Sequence, residues 1–109
     1  MVMDVVEKLK RKGVFIDIRA LSVVAKKYGI SELSVFGSAI RNDDSTPNDV
    51  DLLIVFERDR DVSLFNVMEL EVTLTELFGQ PVDVEEPASL TNPIRRQNIL
   101  ASAERLYAA

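Results

Sequence analysis

One segment limits the possible folds more than any other: residues 50–56 are all apolar except Asp51. A strand that is exposed on one face alternates apolar and polar residues, whereas a near-continuous apolar run is typical of a strand buried on both faces. The segment therefore predicts an interior strand that other elements cover on both sides.

Helices are predicted on either side of this strand. Apolar residues recur every three or four positions in three stretches, which predicts helices at 2–12, 18–28 and 64–78. Asn92 and Pro93 supply the N-cap and the first-turn proline of a fourth helix. We expect that helix to continue toward the end of the chain with its apolar residues facing inward: Ile94, Ile99, Leu100, Ala103, Leu106 and Tyr107.

Two further strands complete the predicted sheet. Short apolar segments around Leu33–Val35 and at 82–84 have the length and composition of strands, and residues 42–48 form a polar, turn-rich loop. The element order indicates the α/β (α+β) class, with a small mixed β-sheet of about three strands flanked by helices. At 109 residues the chain is predicted to be a single domain over 1–109, because two smaller cores would each be marginal.

The residue types that are missing exclude several kinds of chemistry. The chain has no His and no Cys, so it offers no imidazole base, no Ser-His-Asp or Cys-His pair, and no disulfide. A zinc site built from nitrogen and sulfur ligands is excluded as well. Any metal ion must therefore be a hard cation on oxygen ligands, such as Mg²⁺, Mn²⁺ or Ca²⁺.

Charge is distributed unevenly along the chain. Residues 1–41 carry eight basic and four acidic side chains, whereas residues 42–109 carry five basic and fourteen acidic ones. Four of the basic residues, Lys8 and 10–12, close the first helix, where cations are favourable without any ligand. The net charge of −5 and the low pI argue against a nucleic-acid acceptor.

The sequence shows neither a membrane-spanning segment nor a signal-peptide pattern. No apolar run approaches the roughly 18 residues that a membrane span needs. Acidic and basic residues interrupt the apolar ones near the N-terminus, which does not fit a signal peptide. We therefore expect a cytoplasmic protein without membrane contact.

Three aspartates interrupt the predicted strands. Asp49 and Asp51 are two residues apart at the start of the 50–56 strand, so the pleat places both on the same side. Asp83 lies inside the 82–84 strand. If the two strands are neighbours, three carboxylates converge, as a two-metal phosphoryl-transfer site requires. Taken singly, Asp49 could be a turn or cap residue and Asp83 a charge at a strand edge.

A Gly-Ser turn precedes these aspartates. Gly37 would let a phosphate approach the backbone, and Ser38 adds a hydroxyl beside exposed N–H groups at the start of a short helix. Arg41, one turn on, could reach the same phosphates, or be an ordinary surface residue. A calcium loop at 42–51 is the main structural alternative, but the segment lacks the central Gly and the closing Glu of an EF-hand.

Together these motifs resemble the signature of the DNA polymerase β nucleotidyltransferase superfamily. The matching features are Gly37-Ser38, then Asp49-Val50-Asp51 after ten intervening residues, and the apolar strand 52–56. Residues 30–107 are similar to the smallest branch, the minimal nucleotidyltransferase (MNT) domain proteins. The resemblance implies a polymerase-β-type nucleotidyltransferase fold, with N-terminal helices in 1–29 and a catalytic core in 30–109.

The same resemblance implies roles for the site residues. Asp49, Asp51 and Asp83 would be the catalytic residues and would bind two Mg²⁺ ions, with Asp83 near the acceptor hydroxyl. The triphosphate of ATP, the substrate, would be held by Gly37 and Ser38, and Arg41 matches an arginine often found in this branch. The chain departs from the branch at Ala39 and Asn48, and neither change removes a ligand.

Members of this branch are commonly paired with a helical HEPN-domain toxin, and some transfer AMP from ATP to a tyrosine of that toxin. The expected function is therefore a Mg²⁺-dependent adenylyltransferase that acts as an antitoxin, either as a homo-oligomer or in a hetero-oligomer with its toxin. The alternative is an antitoxin that neutralises the HEPN RNase by binding alone.

Overall fold

The computed structural model describes residues 4–109 as four helices and four strands. In chain order these are α1 (Val5–Arg11), α2 (Ile18–Lys27), β1 (Ile30–Phe36), β2 (Val50–Phe56), α3 (Leu64–Phe78), β3 (Val82–Glu85), α4 (Pro93–Ser102) and β4 (Glu104–Ala108). The strands form one mixed sheet in the order β3-β2-β1-β4. β1 is antiparallel to β2 and to β4, whereas β2 and β3 are parallel. The predicted α+β class is confirmed.

The fourth strand corrects the prediction that the last helix continues to Tyr107. α4 ends at Ser102, and Ala103 has an extended backbone (ψ 137°) that turns the chain into β4. β4 pairs with β1, a segment some 70 residues earlier, and its backbone N–H and C=O groups find their partners there. A local apolar pattern cannot reveal a pairing with so distant a segment. Two residues predicted to face inward, Ile94 and Leu100, are in fact exposed.

The main core lies on one face of the sheet, under α1, α2 and α3. Strand residues that alternate along β1 and β2 contribute to it, and the helices add Leu9, Leu21, Leu70 and Leu74, all fully buried. A second, smaller cluster lies on the opposite face, where Phe36 and Leu53 pack against Ile99 of α4 and Leu90. β2 is therefore buried on both faces, as its apolar run predicted.

Helix ends follow the capping residues in the sequence. Asp17, Ser63 and Asn92 each accept hydrogen bonds from backbone N–H groups in the first turn of α2, α3 and α4. α3 ends at Gly79, which adopts the left-handed conformation (φ 72°). The predicted first helix at 2–12 is observed as 5–11, and positions 2 and 3 lie outside the described residues.

Within residues 4–109, none of the helices combines the length and the apolar composition needed to cross a membrane.

Candidate active site

Three carboxylates meet at one end of the parallel strand pair. Each of Asp49, Asp51 and Asp83 offers a carboxylate oxygen, and these three atoms lie within 4.8 Å of one another. The register explains the meeting: Asp51 of β2 is paired with Asp83 of β3, and the Val50 N–H donates to the Pro81 carbonyl at 2.9 Å. Asp49 is two residues before Asp51 and so lies on the same side. The convergence predicted from the sequence is therefore observed.

The carboxylates disfavour one another's charge. The pKa of Asp51 is raised first by burial and then by the charges of Asp49, Asp83 and Glu85, while Arg95 opposes the shift. The pKa of Asp83 is raised mainly by a hydrogen bond with the Asp49 carboxylate, and further by burial and by the charges of Asp49 and Glu85. Carboxylates that repel one another in this way are stabilised by a shared proton or by a bound cation.

Gly37 lies directly against this cluster. A Cβ atom on Gly37 would stand 2.6 Å from Oδ2 of Asp51, a distance that real Cβ atoms do not tolerate. Its φ of +79° is also unfavourable for other residues. The position follows from the sheet, because Phe36, the residue before Gly37, pairs with Asp51 across β1 and β2. Only glycine fits here without displacing the carboxylate.

The Gly-Ser motif begins a turn at the edge of the cluster. The short helix predicted at the Gly-Ser turn is observed as a single 3₁₀ turn, Gly37–Ala39. The Ile40 N–H donates to the Gly37 carbonyl at 3.3 Å. Ser38 is half-buried within it. The structure therefore brings Gly37 against Asp51, and Ser38 is the next residue of the same turn.

Arg41 has its contact elsewhere. Its guanidinium forms an ion pair with Asp43 at 3.8 Å, and 61% of its side chain is exposed. It lines a concave surface with basic residues of α1. A role for Arg41 at the phosphates stays a prediction.

Two residues near the cluster were not predicted as site residues. Glu85 is two residues after Asp83 and therefore points to the same side of β3, which the period-two pattern of the strand could have indicated. It accepts hydrogen bonds from Arg95 and Ser89, both at 3.3 Å. Arg95 comes from the first turn of α4, and its position depends on how α4 packs over the sheet, which no local pattern reveals.

α4 and β1 enclose a shallow groove beside the cluster. The groove has a volume of about 440 Å³ and adjoins the carboxylates through Phe36, the cross-strand partner of Asp51. Its lining comes from Phe36 and from one side of α4: Asn92, Ile94, Arg95, Asn98 and Ile99. The site thus has an acidic part on β2 and β3 and a more apolar part under α4.

The donor set fits a hard divalent cation. All three groups are carboxylates, the ligands that Mg²⁺ and Mn²⁺ prefer, and a cation would relieve the repulsion that raises the pKa of Asp51 and Asp83. The alternative of a calcium loop at 42–51 is not supported, because the Asp43 carboxylate is bound by Lys12 and Ser45. The site is suited to chemistry at phosphate oxygens.

Comparisons with known proteins agree with this geometry. A relative named "Putative protein adenylyltransferase MJ0435", from Methanocaldococcus jannaschii, is 32% identical over 85 residues, which are 78% of this chain and 88% of that protein. A solved structure described as a "putative minimal nucleotidyltransferase" has a TM-score of 0.62 at 30% identity and covers 93% of this chain and 94% of its own.

A more distant structure shares the fold alone. It is the complex of tri-AMPylated Shewanella oneidensis HEPN toxin with an MNT antitoxin, at a TM-score of 0.60 and 14% identity, covering 84% of this chain and 70% of its own. The sequence profile of the family described as "Polymerase beta, Nucleotidyltransferase" matches residues 20–109, which include every predicted site residue. The chain therefore belongs to the polymerase beta nucleotidyltransferase family of enzymes.

Proposed function

We propose that this protein is a Mg²⁺-dependent protein adenylyltransferase that transfers AMP from ATP to a tyrosine hydroxyl of a partner HEPN-domain toxin and so acts as its antitoxin. The observation that carries the proposal is the convergence of Asp49, Asp51 and Asp83 beside the Gly37 turn. The named adenylyltransferase relative and the AMPylated HEPN toxin of the distant complex support the substrate and the partner.

The carboxylates are the groups that would hold the metal. Mg²⁺ bound by Asp49, Asp51 and Asp83 would neutralise charge on the triphosphate and lower the pKa of the acceptor hydroxyl. Asp49 and Asp51 are half-buried, whereas Asp83 is exposed. We therefore expect the acceptor hydroxyl to approach from the side of Asp83.

The chain's own residues position the reacting groups. Gly37 leaves room for the Asp51 carboxylate beside the backbone, and the Ser38 hydroxyl and nearby N–H groups donate to a phosphate of the substrate. The acceptor oxygen attacks the α-phosphorus, the bond to the bridging oxygen of the β-phosphate breaks, and pyrophosphate leaves. The hydroxyl proton passes to the exposed Asp83 carboxylate. Positioning and charge stabilisation supply the catalysis, so the absence of His is no obstacle.

A protein acceptor fits the surface of the molecule. Four large apolar side chains project into solvent from α3, with exposed fractions between 55% and 81%: Leu64, Phe65, Met68 and Val72. Exposed apolar clusters of this kind mark protein interaction sites. Glu69 and Glu76, exposed on the same helix, would complement a partner with a basic surface.

The same surface supports a second candidate function, neutralisation of the toxin by contact alone. The two functions make opposite predictions for a double variant, Asp49→Asn with Asp51→Asn, that keeps the binding surface and loses the metal ligands. A binding antitoxin would still neutralise the toxin, whereas an adenylyltransferase would not.

The decisive experiment incubates the protein with α-³²P-labelled ATP, Mg²⁺ and the HEPN partner, and follows label on the partner. We expect the double variant to lower transfer by about 1,000-fold or more, the scale of losing electrostatic stabilisation at a reacting phosphate. Asp59→Asn, which removes an exposed carboxylate outside the cluster, is the matched control and should transfer normally. Absence of transfer by the unaltered protein, together with intact neutralisation by the double variant, would refute the enzymatic proposal.

A further inference from the structure

Lys12, the residue after α1, is enclosed by the loop between the two motifs of the site. Its ammonium group donates to two oxygens of Asp43, the backbone carbonyl oxygen at 2.9 Å and the carboxylate Oδ1 at 2.7 Å. It also contacts the carbonyl of Ser45 at 2.7 Å and its hydroxyl at 3.1 Å. Only 8% of the Lys12 side chain is exposed, although every loop residue that it contacts is exposed.

The hydrogen-bonding capacity of the Lys12 ammonium group is fully used by the loop. A lysine removed from water is costly unless oxygens replace the water, and here four acceptors share its three N–H groups. The Asp43 carboxylate in turn accepts from the backbone N–H of Ser45 at 3.0 Å and from the Ser45 hydroxyl. The Lys12 and Ser45 hydrogen bonds hold the pKa of Asp43 well below its usual range.

The loop that Lys12 holds joins the phosphate turn to the metal ligands. It follows Gly37–Ala39 and leads into Asp49 at the start of β2. Between the contact at Ser45 and Asp49 there are only three residues, and one of them, Pro47, is buried. Fixing Asp43 and Ser45 therefore restricts where the backbone of Asp49 can lie.

The helix that supplies Lys12 lies outside the part of the chain that the family profile matches, which begins at residue 20. α1 is fixed to the core independently of the loop. Its Leu9 is fully buried, and Lys8 forms an ion pair with Glu104 of β4 at 2.7 Å. Lys12 thus connects α1, which is docked on the core, to the loop between the Gly-Ser turn and Asp49.

We propose that Lys12 is a positioning residue for the proposed nucleotidyl transfer, because it holds the 43–45 segment so that Asp49 stays in register with Asp51 and Asp83. Its ammonium group is bound by Asp43 and Ser45, so it acts through the loop. The inference rests on the proposed function, but its first readout is metal binding, which does not need an acceptor or ATP turnover.

The test measures Mn²⁺ affinity of the full chain by electron paramagnetic resonance, with hydrogen exchange of the amides at 43–49. Lys12→Met should weaken Mn²⁺ binding by about tenfold, the lower end of the losses seen when a group that orients metal ligands is removed, and should speed exchange in the loop. In the transfer assay, kcat should fall while KM for ATP changes little. Lys12→Arg, which keeps a charged donor, should recover part of the loss.

Two other lysines of the first helix are matched controls. Lys10→Met, at an exposed position, should leave Mn²⁺ affinity unchanged. Lys8→Met removes the ion pair with Glu104, so it should lower the melting temperature without weakening Mn²⁺ binding. An equal loss of Mn²⁺ affinity in Lys8→Met and Lys12→Met would overturn the proposal, because it would show that docking of the helix alone matters.

A second variant approaches the contact from the loop side and does not depend on the folding of Lys12→Met. Asp43→Asn should weaken Mn²⁺ binding in the same direction, and the double variant should be no worse than the more severe single one. Fully additive losses, or normal Mn²⁺ affinity in both single variants, would also overturn the proposal. Because Mn²⁺ binding is measured without ATP, the outcome is distinguishable from a failure of the adenylyltransferase proposal.

Discussion

The two faces of the central sheet use adjacent residues of the same strand for different purposes. Val50, Leu52 and Ile54 of β2 are fully buried under the helices. Between them, Asp51 and Leu53 point to the other face, where the carboxylates gather and α4 covers only part of the surface. One face is packed for stability, and the other keeps groups that repel each other. Residues that stabilise this fold and residues that serve its chemistry therefore alternate along one strand, so substitutions can separate the two roles.

The largest expected effect is on the packed face. Leu52→Ala should lower the free energy of unfolding by about 2–5 kcal/mol, since it removes a fully buried side chain and leaves a cavity. Urea unfolding followed by circular dichroism measures the change. A loss below about 1 kcal/mol would contradict the view that this face carries the stability, and Leu100→Ala on the exposed side of α4 serves as the control.

An intermediate effect, on the rate of transfer, is expected where Gly37 lies against Asp51. Gly37→Ala should lower transfer by about 100-fold, because its Cβ would displace the Asp51 carboxylate, and a misplacement of this size costs that much. Gly13→Ala is the matched control: its φ of +81° imposes the same backbone strain, but its Cβ would meet nothing within 4 Å. Both variants should lose similar stability in thermal unfolding. Equal activity in the two would show that Gly37 matters only for its backbone conformation.

The smallest effect is expected on the melting temperature when no metal ion is bound by the carboxylates. Because the pKa of Asp51 is raised, the folded state holds its proton more tightly than the unfolded chain does. The stability from this group is therefore full below the ordinary aspartate pKa of about 3.9 and is lost as pH rises through the folded-state value. Asp51→Asn should thus melt a few degrees above the unaltered protein at neutral pH in EDTA, and this advantage should shrink on acidification.

Scanning calorimetry at several pH values, with and without Mg²⁺, checks this sign. Mg²⁺ should raise the melting temperature of the unaltered protein more than that of Asp51→Asn. An Asn variant that is less stable than the unaltered protein in EDTA at neutral pH would show that the Asp51 charge is compensated within the fold.

The features that could be predicted from the sequence are those set by the local periodicity of apolar and polar residues. The apolar run of β2 and the period-two spacing of Asp49 and Asp51 follow from strand geometry, so the interior strand and the meeting with Asp83 were predictable once β2 and β3 were taken as neighbours. β4 was missed because Leu106 and Tyr107 fit a helical repeat, and only pairing with distant β1 makes them a strand. Arg95 was missed as a neighbour of the cluster because the docking of α4, not spacing, brings it there.

The register between β1 and β2 has a consequence for how such a protein can change over evolutionary time. The side-chain period of a strand is two, so deletion of Val50 would turn Asp51 toward the helices and Leu52 toward the face that α4 partly covers. Insertions in the preceding loop between Arg41 and Asp43, ahead of the segment that Lys12 holds, would leave both orientations intact. We therefore expect lineages of this protein to diverge in the length of that loop while the residue count from Asp49 to Leu53 stays invariant.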